Sequence, residues 1–328
     1  MADAPPLRSS PLVARHPANP ILTRHDVPYK ATLVFNAGVA RWEGRYVMVF
    51  RNDYGTWGEP RFQGTNLGVA FSDDGVHWTV EPQPCLELAD EEIRRVYDPR
   101  LTVLDGRLYL CFAVDTRHGV RGGIATTSDL RRFDILSLSV PDNRNMVLFP
   151  RRIGETFVRL ERPFPVYSRG GGELFDIWLS RSSDLRYWGD SRLVLGTEHV
   201  PWANAKIGPA APPVPTERGW LTTFHAVDID PQRGKNGWEP RWTKRYTAGI
   251  MLLDLDDPAT VLGLAPQPLL VPEAPYETEG GFRNNVVFPC GMILEDDGEV
   301  KVYYGAADTV IALATAQADD LVGLCLGG

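Results

Sequence analysis

Five times along this chain an apolar β-rich run breaks at a turn glycine and resumes as a second β-rich run. The segments are VARWEGRYVMVFR (39–51), LTVLDGRLYLCFAV (101–114), LFPRRIGETFVRLER (148–162), PVPTERGWLTTFHAV (213–227) and MILEDDGEVKVYYGA (292–306). Their turn glycines, Gly44, Gly106, Gly154, Gly219 and Gly298, are spaced by 62, 48, 65 and 79 residues. Glu-Gly, Asp-Gly and Arg-Gly between β-branched and aromatic runs are hairpin signals. A second unit, strand then Ser-Asp turn then strand, follows in VAFSDDGVHWTV (69–80), IATTSDLRRFDIL (124–136) and IWLSRSSDLRYWGDSRLVL (177–195), with a looser copy in IMLLDLDDPATVLG (250–263). Two hairpins make a four-stranded sheet, and about 60 residues suits one propeller blade with long loops. The expectation is an all-β, five-bladed β-propeller forming one domain over residues 1–328, with an N-terminal arm (about 1–20) and a C-terminal tail (about 316–328). A β-sandwich is the alternative, and the regular alternation of two hairpin types argues against it. Helix is expected, if anywhere, in the arm or in the tail at QADDLVGLC.

Composition removes several classes of partner. A formal charge of −8 and a pI of about 5.3 repel phosphate backbones and anionic lipid, so neither nucleic acid nor membrane is expected as a partner. An anionic ligand would need a local basic pocket built against that background. Cys85, Cys111, Cys290 and Cys325 lie far apart without a CxxC pair and read as core residues. MADAPPLRSSPLVARHP lacks the apolar centre of a signal peptide, which points to the cytoplasm. Six scattered histidines include no HxH or HExxH, so no metal is expected.

In an antiparallel hairpin, residues equally far before and after the turn lie side by side. That brings Asn36 to Arg51, Asp98 to Asp115, Arg144 and Asn145 to Arg162, Lys206 to His225, and Asn284 or Asn285 to Asp308. Each hairpin carries polar groups at the end away from its turn. As the inner hairpins of five blades, these ends converge on one mouth of the central channel. One such end alone reads as a solvated strand terminus; five coincident ones read as a site.

The converging set combines carboxylates (Asp98, Asp115, Asp308) with basic groups (Arg51, Arg144, Arg162, Lys206, His225). Carboxylates beside asparagines suit a sugar, and one of them can serve as a general acid. Arginine forks match the oxygens of a phosphate. Inverting hydrolysis of a glycoside needs an acid and a base with a water between them. Inorganic phosphate already carries its charge, so one acid opposite a basic pocket reads more naturally as phosphorolysis. A non-catalytic sugar-binding propeller is the competing class, and it has no need of four basic groups around one point beside an acid.

At these same residues the chain resembles glycoside hydrolase family 130, the inverting β-mannoside phosphorylases, over essentially its whole length. The matching stretches include NPILTRHDVPY, YDPRLT, DNRNMVLFP, RLERP, KIGPAAPP, FHAVD, FRNNVVFPCG and YYGAADT. The resemblance implies a five-bladed propeller with Asp98 as general acid, its proton passing to the glycosidic oxygen through a mannosyl hydroxyl. It implies a phosphate cradle of Arg144, Arg162, Lys206 and His225, joined by Tyr246. Asn36, Arg51 and Asp308 would hold sugar hydroxyls, with Tyr97 beside the acid and Asp115 and Arg94 on the acceptor side. No cofactor is implied; a saccharide and inorganic phosphate are the partners, and relatives form homo-oligomers. AVDTRHGVRGGIA, DIDPQRGKNGWEPRW and YETEGGFRNN look most like the branch acting on 4-O-β-D-mannosyl-D-glucose, with β-1,4-manno-oligosaccharides or another β-mannoside as the alternative. Trp57, Trp202, Trp238 and Trp242 lie in loop-like segments and read either as sugar-stacking or as packing residues, and segment 228–245 as a lid or a subunit contact.

Overall fold

The computed structural model describes residues 7–165 and 174–327, so part of the expected arm (1–6) and the last residue of the tail lie outside the described residues. Five antiparallel sheets surround one axis, each with its first strand innermost. The first blade is Leu33–Trp42, Arg45–Gly55, Phe62–Ser72 and Thr79–Val80; the second is Ile93–Leu104, Arg107–Thr116, Gly119–Thr127 and Asp134–Leu138. The third is Asn143–Leu148, Phe157–Pro163, Ile177–Ser182 and Gly189–Leu195. In the fourth, Lys206–Pro209 and Val214–Thr216 both pair with Gly219–Ile229, followed by Lys244–Leu253 and Val261–Leu264. The fifth is Val287–Leu294, Glu299–Ala306 and Val310–Gln317, completed by Ala14–Arg15 from the N-terminal arm.

Local chemistry sets the hairpins. Glu43-Gly44 and Asp105-Gly106 both take positive φ (52° and 81°, 50° and 74°), the two-residue turn whose twist matches the flanking strands. The Ser-Asp turns repeat atom by atom. Ser72, Thr127 and Ser182 accept the backbone N–H three residues on at 2.9 Å, and Asp74, Asp129 and Asp184 each accept two further N–H groups. The fifth blade has no such copy because its outer pair joins opposite ends of the chain: Ala14 faces Thr315 and Arg15 faces Ala314.

Alternation along the strands turns apolar residues onto both sheet faces, and each gap between neighbouring blades is filled by its own apolar layer. The layer between the fourth and fifth blades extends under the C-terminal helix Ala318–Leu326, whose Ala318, Leu321, Val322 and Cys325 form one buried stripe. Cys111, Cys290 and Cys325 are buried among apolar neighbours, and burial pushes the thiols of all four cysteines up to about 12. No described helix is long and apolar enough to cross a membrane.

The closing strand is held by charge as well as by its ladder. Arg15 forks onto the buried Glu277 carboxylate with both N–H bonds at 2.8 Å and donates to the Val271 carbonyl at 2.6 Å. Glu277 also accepts from Tyr304 and from the backbone N–H groups of Glu273 and Ala274. Removing one partner of a buried pair costs about 3–5 kcal/mol, and these extra donors place Arg15→Met near the lower end. A melting temperature lowered by several degrees, with activity at 25 °C retained, is the outcome expected from thermal unfolding.

Candidate active site

A strand alternates its side chains between two faces, so successive residues cannot all face the axis. The innermost strands escape this limit by bulging. Asn36-Ala37 oppose Phe50 alone, Asp98-Pro99 oppose Phe112, and Asn145-Met146 oppose Glu161. The first residue of each pair takes a left-handed conformation, with φ of 51° at Asn36, 53° at Asp98 and 59° at Asn145. A bulge re-aims a side chain, and here it aims three polar groups at one point. Asn285 (φ 61°) and Asp308 (φ 49°) flank the inner hairpin of the fifth blade in the same way.

The result is a cavity of about 430 Å³ on the axis, lined by Asn36, Arg51, Tyr97, Asp98, Arg144, Arg162, Lys206, His225, Tyr246 and Asp308. Two expected residues fall elsewhere. Arg94 is exposed, the extra unpaired residue where the register shifts between Ile93 and Arg95, and the cavity wall takes Arg95 instead. Asp115 stands behind the wall, accepting from Arg95 at 2.6 Å and from the Tyr97 hydroxyl at 2.7 Å. Its backbone partner is Arg95, not Asp98: the turn pairs Leu104 with Arg107, which already sets Asp115 opposite Val96, and the bulge moves the partner one residue further. In the fourth blade His225 faces Gly208 and Lys206 faces Val227. Gly208 is needed there: a Cβ would sit 2.5 Å from the His225 ring and 3.0 Å from Arg162.

Asp98 is 7% exposed and accepts from Asn36 Nδ2 at 2.9 Å and Arg51 Nη1 at 3.3 Å. Burial pushes its carboxyl up, but Arg51, Arg100, Asn36 and Arg144 together hold it below the usual range, so in the free site it is ionised. Asp308 goes the other way. Its burial, reinforced by Asp98, outweighs Arg283 and Arg51 and raises it. Arg51 is fixed from behind by Asp53, which is fully buried and takes two guanidinium N–H bonds at 2.9 and 2.7 Å.

Across the cavity the balance of charge is reversed. Eight Arg and Lys side chains line it against three carboxylates, in a protein of net charge −8. Among the described residues no carboxylate pairs with Arg144, Arg162 or Lys206. Arg162 is 1% exposed, and burial followed by Arg144 pulls it down to about 9. Burial and then Arg162 and Arg144 hold Lys206 well below its ordinary value. His225 departs from the expected cationic role: burial, then Arg162 and Lys206, keep it neutral. Its Nε2 lies 3.1 Å from Arg162 Nη1 and 3.4 Å from Asn145 Nδ2, so it accepts there and the ring proton sits on Nδ1. Arg144 donates to the Tyr97 hydroxyl at 3.3 Å, and Tyr246 stacks between His225 and Trp242. Mutually repelling cations gathered in one cavity in this way suit an anion.

Asp53, Arg95, Arg100 and Arg283 belong to the site without having been expected from the sequence. Arg100 follows Asp98 by two residues in YDPRLT and Asp53 follows Arg51 by two, and that spacing was the available signal. Segment 228–245 packs on the fifth blade: Trp238 N–H donates to the Phe282 carbonyl at 2.9 Å, Glu239 pairs with Arg283, and Trp242 Nε1 donates to the Asn284 carbonyl at 3.0 Å. Glu239, Arg241, Trp242 and Lys244 thereby become cavity wall. Trp57 of the first blade meets Trp238 edge to face at 4.4 Å, while Trp202 is buried in the layer between the third and fourth blades.

A model of glycoside hydrolase family 130, described as beta-1,4-mannooligosaccharide phosphorylase, matches residues 11–326. The beta-1,4-mannooligosaccharide phosphorylase of Ruminococcus albus is 33% identical over 326 residues, covering 95% of this chain and 90% of that protein. The 4-O-beta-D-mannosyl-D-glucose phosphorylase of Bacteroides fragilis is 28% identical, covering 94% and 78%. Among solved structures, the beta-1,2-mannobiose phosphorylase of Listeria innocua in complex with beta-1,2-mannobiose superposes with a TM-score of 0.81 at 26% identity, covering 96% of this chain and 99% of that one.

Stability should report the charge imbalance directly. Below about pH 6.5 an unfolded chain protonates the imidazole that folded His225 leaves neutral, so stability present above that pH is lost as pH falls toward the folded value. The melting temperature is expected to drop between pH 7.5 and 5.5, with a shallower slope in His225→Gln. Phosphate at a hundredfold excess over its dissociation constant should add about 2.7 kcal/mol, an increment that sodium chloride of equal ionic strength does not reproduce.

Proposed function

This chain belongs to glycoside hydrolase family 130, and from that membership we propose that it cleaves β-mannosides by inverting phosphorolysis, releasing α-D-mannose 1-phosphate. The observation that carries the reading is the trio Arg144, Arg162 and Lys206, the second buried and the other two half-buried, none paired with a carboxylate among the described residues, in one cavity with the buried acid Asp98. Phosphate bound to the trio attacks the anomeric carbon as the bond to the acceptor oxygen breaks. Asp98 delivers a proton toward that oxygen by way of a mannosyl hydroxyl, and the proton brought in by hydrogen phosphate restores the balance. No cofactor enters the scheme.

The ionised state of Asp98 in the free site fits this order of events. Arg51 and Arg100 lead the cations that keep Asp98 deprotonated and Arg144 comes after them; a dianion on Arg144 cancels that last part of the field and sets its own negative charge near the acid. Phosphate therefore raises the acid toward its working state. Asn36, Arg51 and Asp308 hold the mannosyl hydroxyls. Arg95, Tyr97 and the Trp238 segment form the acceptor side, with Asp115 orienting Arg95 and Tyr97.

Within this activity we assign 4-O-β-D-mannosyl-D-glucose as substrate. A cavity of about 430 Å³, near the lower end of the roughly 300–1,000 Å³ range of small-molecule sites, suits a disaccharide. The 33% identity to the Ruminococcus protein favours a second reading, β-1,4-manno-oligosaccharides. The two differ in acceptor, so synthesis from mannose 1-phosphate decides. Glucose is expected to outperform mannose, because a buried hydrogen bond lost at one inverted hydroxyl discriminates several-fold or more. Equal or reversed rates assign the manno-oligosaccharides.

Two variants test the chemistry. Asp98→Asn keeps shape but removes the proton, and turnover should fall by about 10²–10⁴-fold with substrate affinity changed far less. Arg162→Ala should raise the phosphate KM steeply while leaving mannoside binding largely intact, as expected where one oxyanion donor is worth about 2.7–4 kcal/mol. Free mannose released at one rate with or without phosphate identifies a mannosidase instead.

A further inference from the structure

The bulge at Asp98 is one of three alike, yet only it is followed by a charged residue. The first residue paired again after each bulge is Gly38 in the first blade, Arg100 in the second and Val147 in the third. Blades one and three thus make the same left-handed bulge with no side chain, or an apolar one, at this place. The bulge itself does not require arginine. Burying one costs free energy, so an arginine that is 1% exposed on the axis needs another reason.

Its contacts supply one. Arg100 Nη1 donates to the backbone carbonyl of Asp98 at 2.6 Å, and Nε donates to the carbonyl of Ala210 in the fourth blade at 2.9 Å. A single planar guanidinium thus ties the bulged residue to the fourth blade, at the residue just after its innermost strand Lys206–Pro209. Its outer face is covered by the Phe288 ring at 5.3 Å. Gly38 lets the main chain at Arg100 come close: a Cβ there would lie 2.6 Å from the Arg100 Cα.

We infer that Arg100 is the positioning residue of the general acid, fixing the left-handed main chain of Asp98 so that its carboxyl stays at the point where the glycosidic bond is cleaved. Arg100 does not touch the substrate; it acts through Asp98. The inference rests on reading Asp98 as the acid. The guanidinium does two separable things: its two donors fix geometry, and its charge adds to the field on Asp98. That field also comes from Arg51 of the first blade and Arg144 of the third, with Asp308 of the fifth opposing it and Lys206 and His225 of the fourth in the same cavity.

The test compares wild type, Asp98→Asn, Arg100→Met and Arg100→Lys in phosphorolysis, recording kcat, both KM values, the pH profile of kcat and the melting temperature. Misplacing a reacting group by about 1 Å costs on the order of 10²-fold. Arg100→Met should lose about that in kcat, with both KM values within about threefold. The alkaline limb of its profile should move to higher pH, because removing a cation favours protonated Asp98. Arg100→Lys restores charge but cannot reach two carbonyls as a planar fork, so its limb should return toward wild type while kcat stays low. An unchanged kcat in both variants, or kcat and KM degrading together with the limb in place, overturns the inference. Should Arg100→Met fail to fold, Arg100→Lys decides alone: wild-type turnover there overturns the inference, and a low kcat with an unmoved limb supports it. Near-normal turnover in Asp98→Asn instead removes the reading of Asp98 on which the inference stands.

Discussion

The site depends on a departure from strand geometry. Pleating gives an inner strand every second side chain for the axis, too few to surround a sugar and a phosphate from five short strands. Inserting one left-handed residue into three of them gives up a ladder bond apiece and gains Asn36, Asp98 and Asn145 as inward groups. The left-handed conformation costs a non-glycine residue about 1–2 kcal/mol, which persists only because the surroundings over-determine it. The five apolar layers between blades supply that rigidity, and the bulges spend it at the cavity on the axis.

Charge is organised by the same economy of position. Arg51 is committed on one side to Asp53 and on the other to Asp98, so the acid is framed by a cation that cannot swing away. Arg144, Arg162 and Lys206 have no such commitment among the described residues. In an acidic protein this leaves one basic hollow whose members raise each other's free energy until an anion arrives. The neutral His225 keeps Arg162 aimed without adding to the repulsion.

Much of this was legible in the sequence because it is local. Glu43-Gly44 and Asp105-Gly106 announce their turns in two letters, and five such turns count the blades. Hairpin pairing then placed Arg144 opposite Arg162, as found. Pairing failed in the second blade, where the turn is centred between Leu104 and Arg107: Asp98 and Asp115 separate, and Arg95 replaces Arg94 at the wall. A bulge has no residue signature of its own here, since asparagine or aspartate before Ala, Pro or Met is common. The state of His225 was also out of reach, because it depends on which cations burial brings beside it. Nor does a two-residue strand such as Ala14–Arg15 carry any periodicity to read.

That short strand has a consequence for how the molecule comes into being. Its partner, Val310–Gln317, lies some 300 residues further along, so the last interface waits until that strand has left the ribosome. Four blades can form in order as their hairpins emerge, each burying one face against its predecessor. The outward face of the first blade has no such neighbour until the fifth arrives, and Leu22, Val34, Met48 and Phe50 remain uncovered through that interval. Contacts of such sequence separation are slow to form, and exposed apolar strands invite wrong partners meanwhile. The ring is thus a single cooperative lock: its weakest moment is the time between first and last blade, and chaperone dependence should be concentrated there.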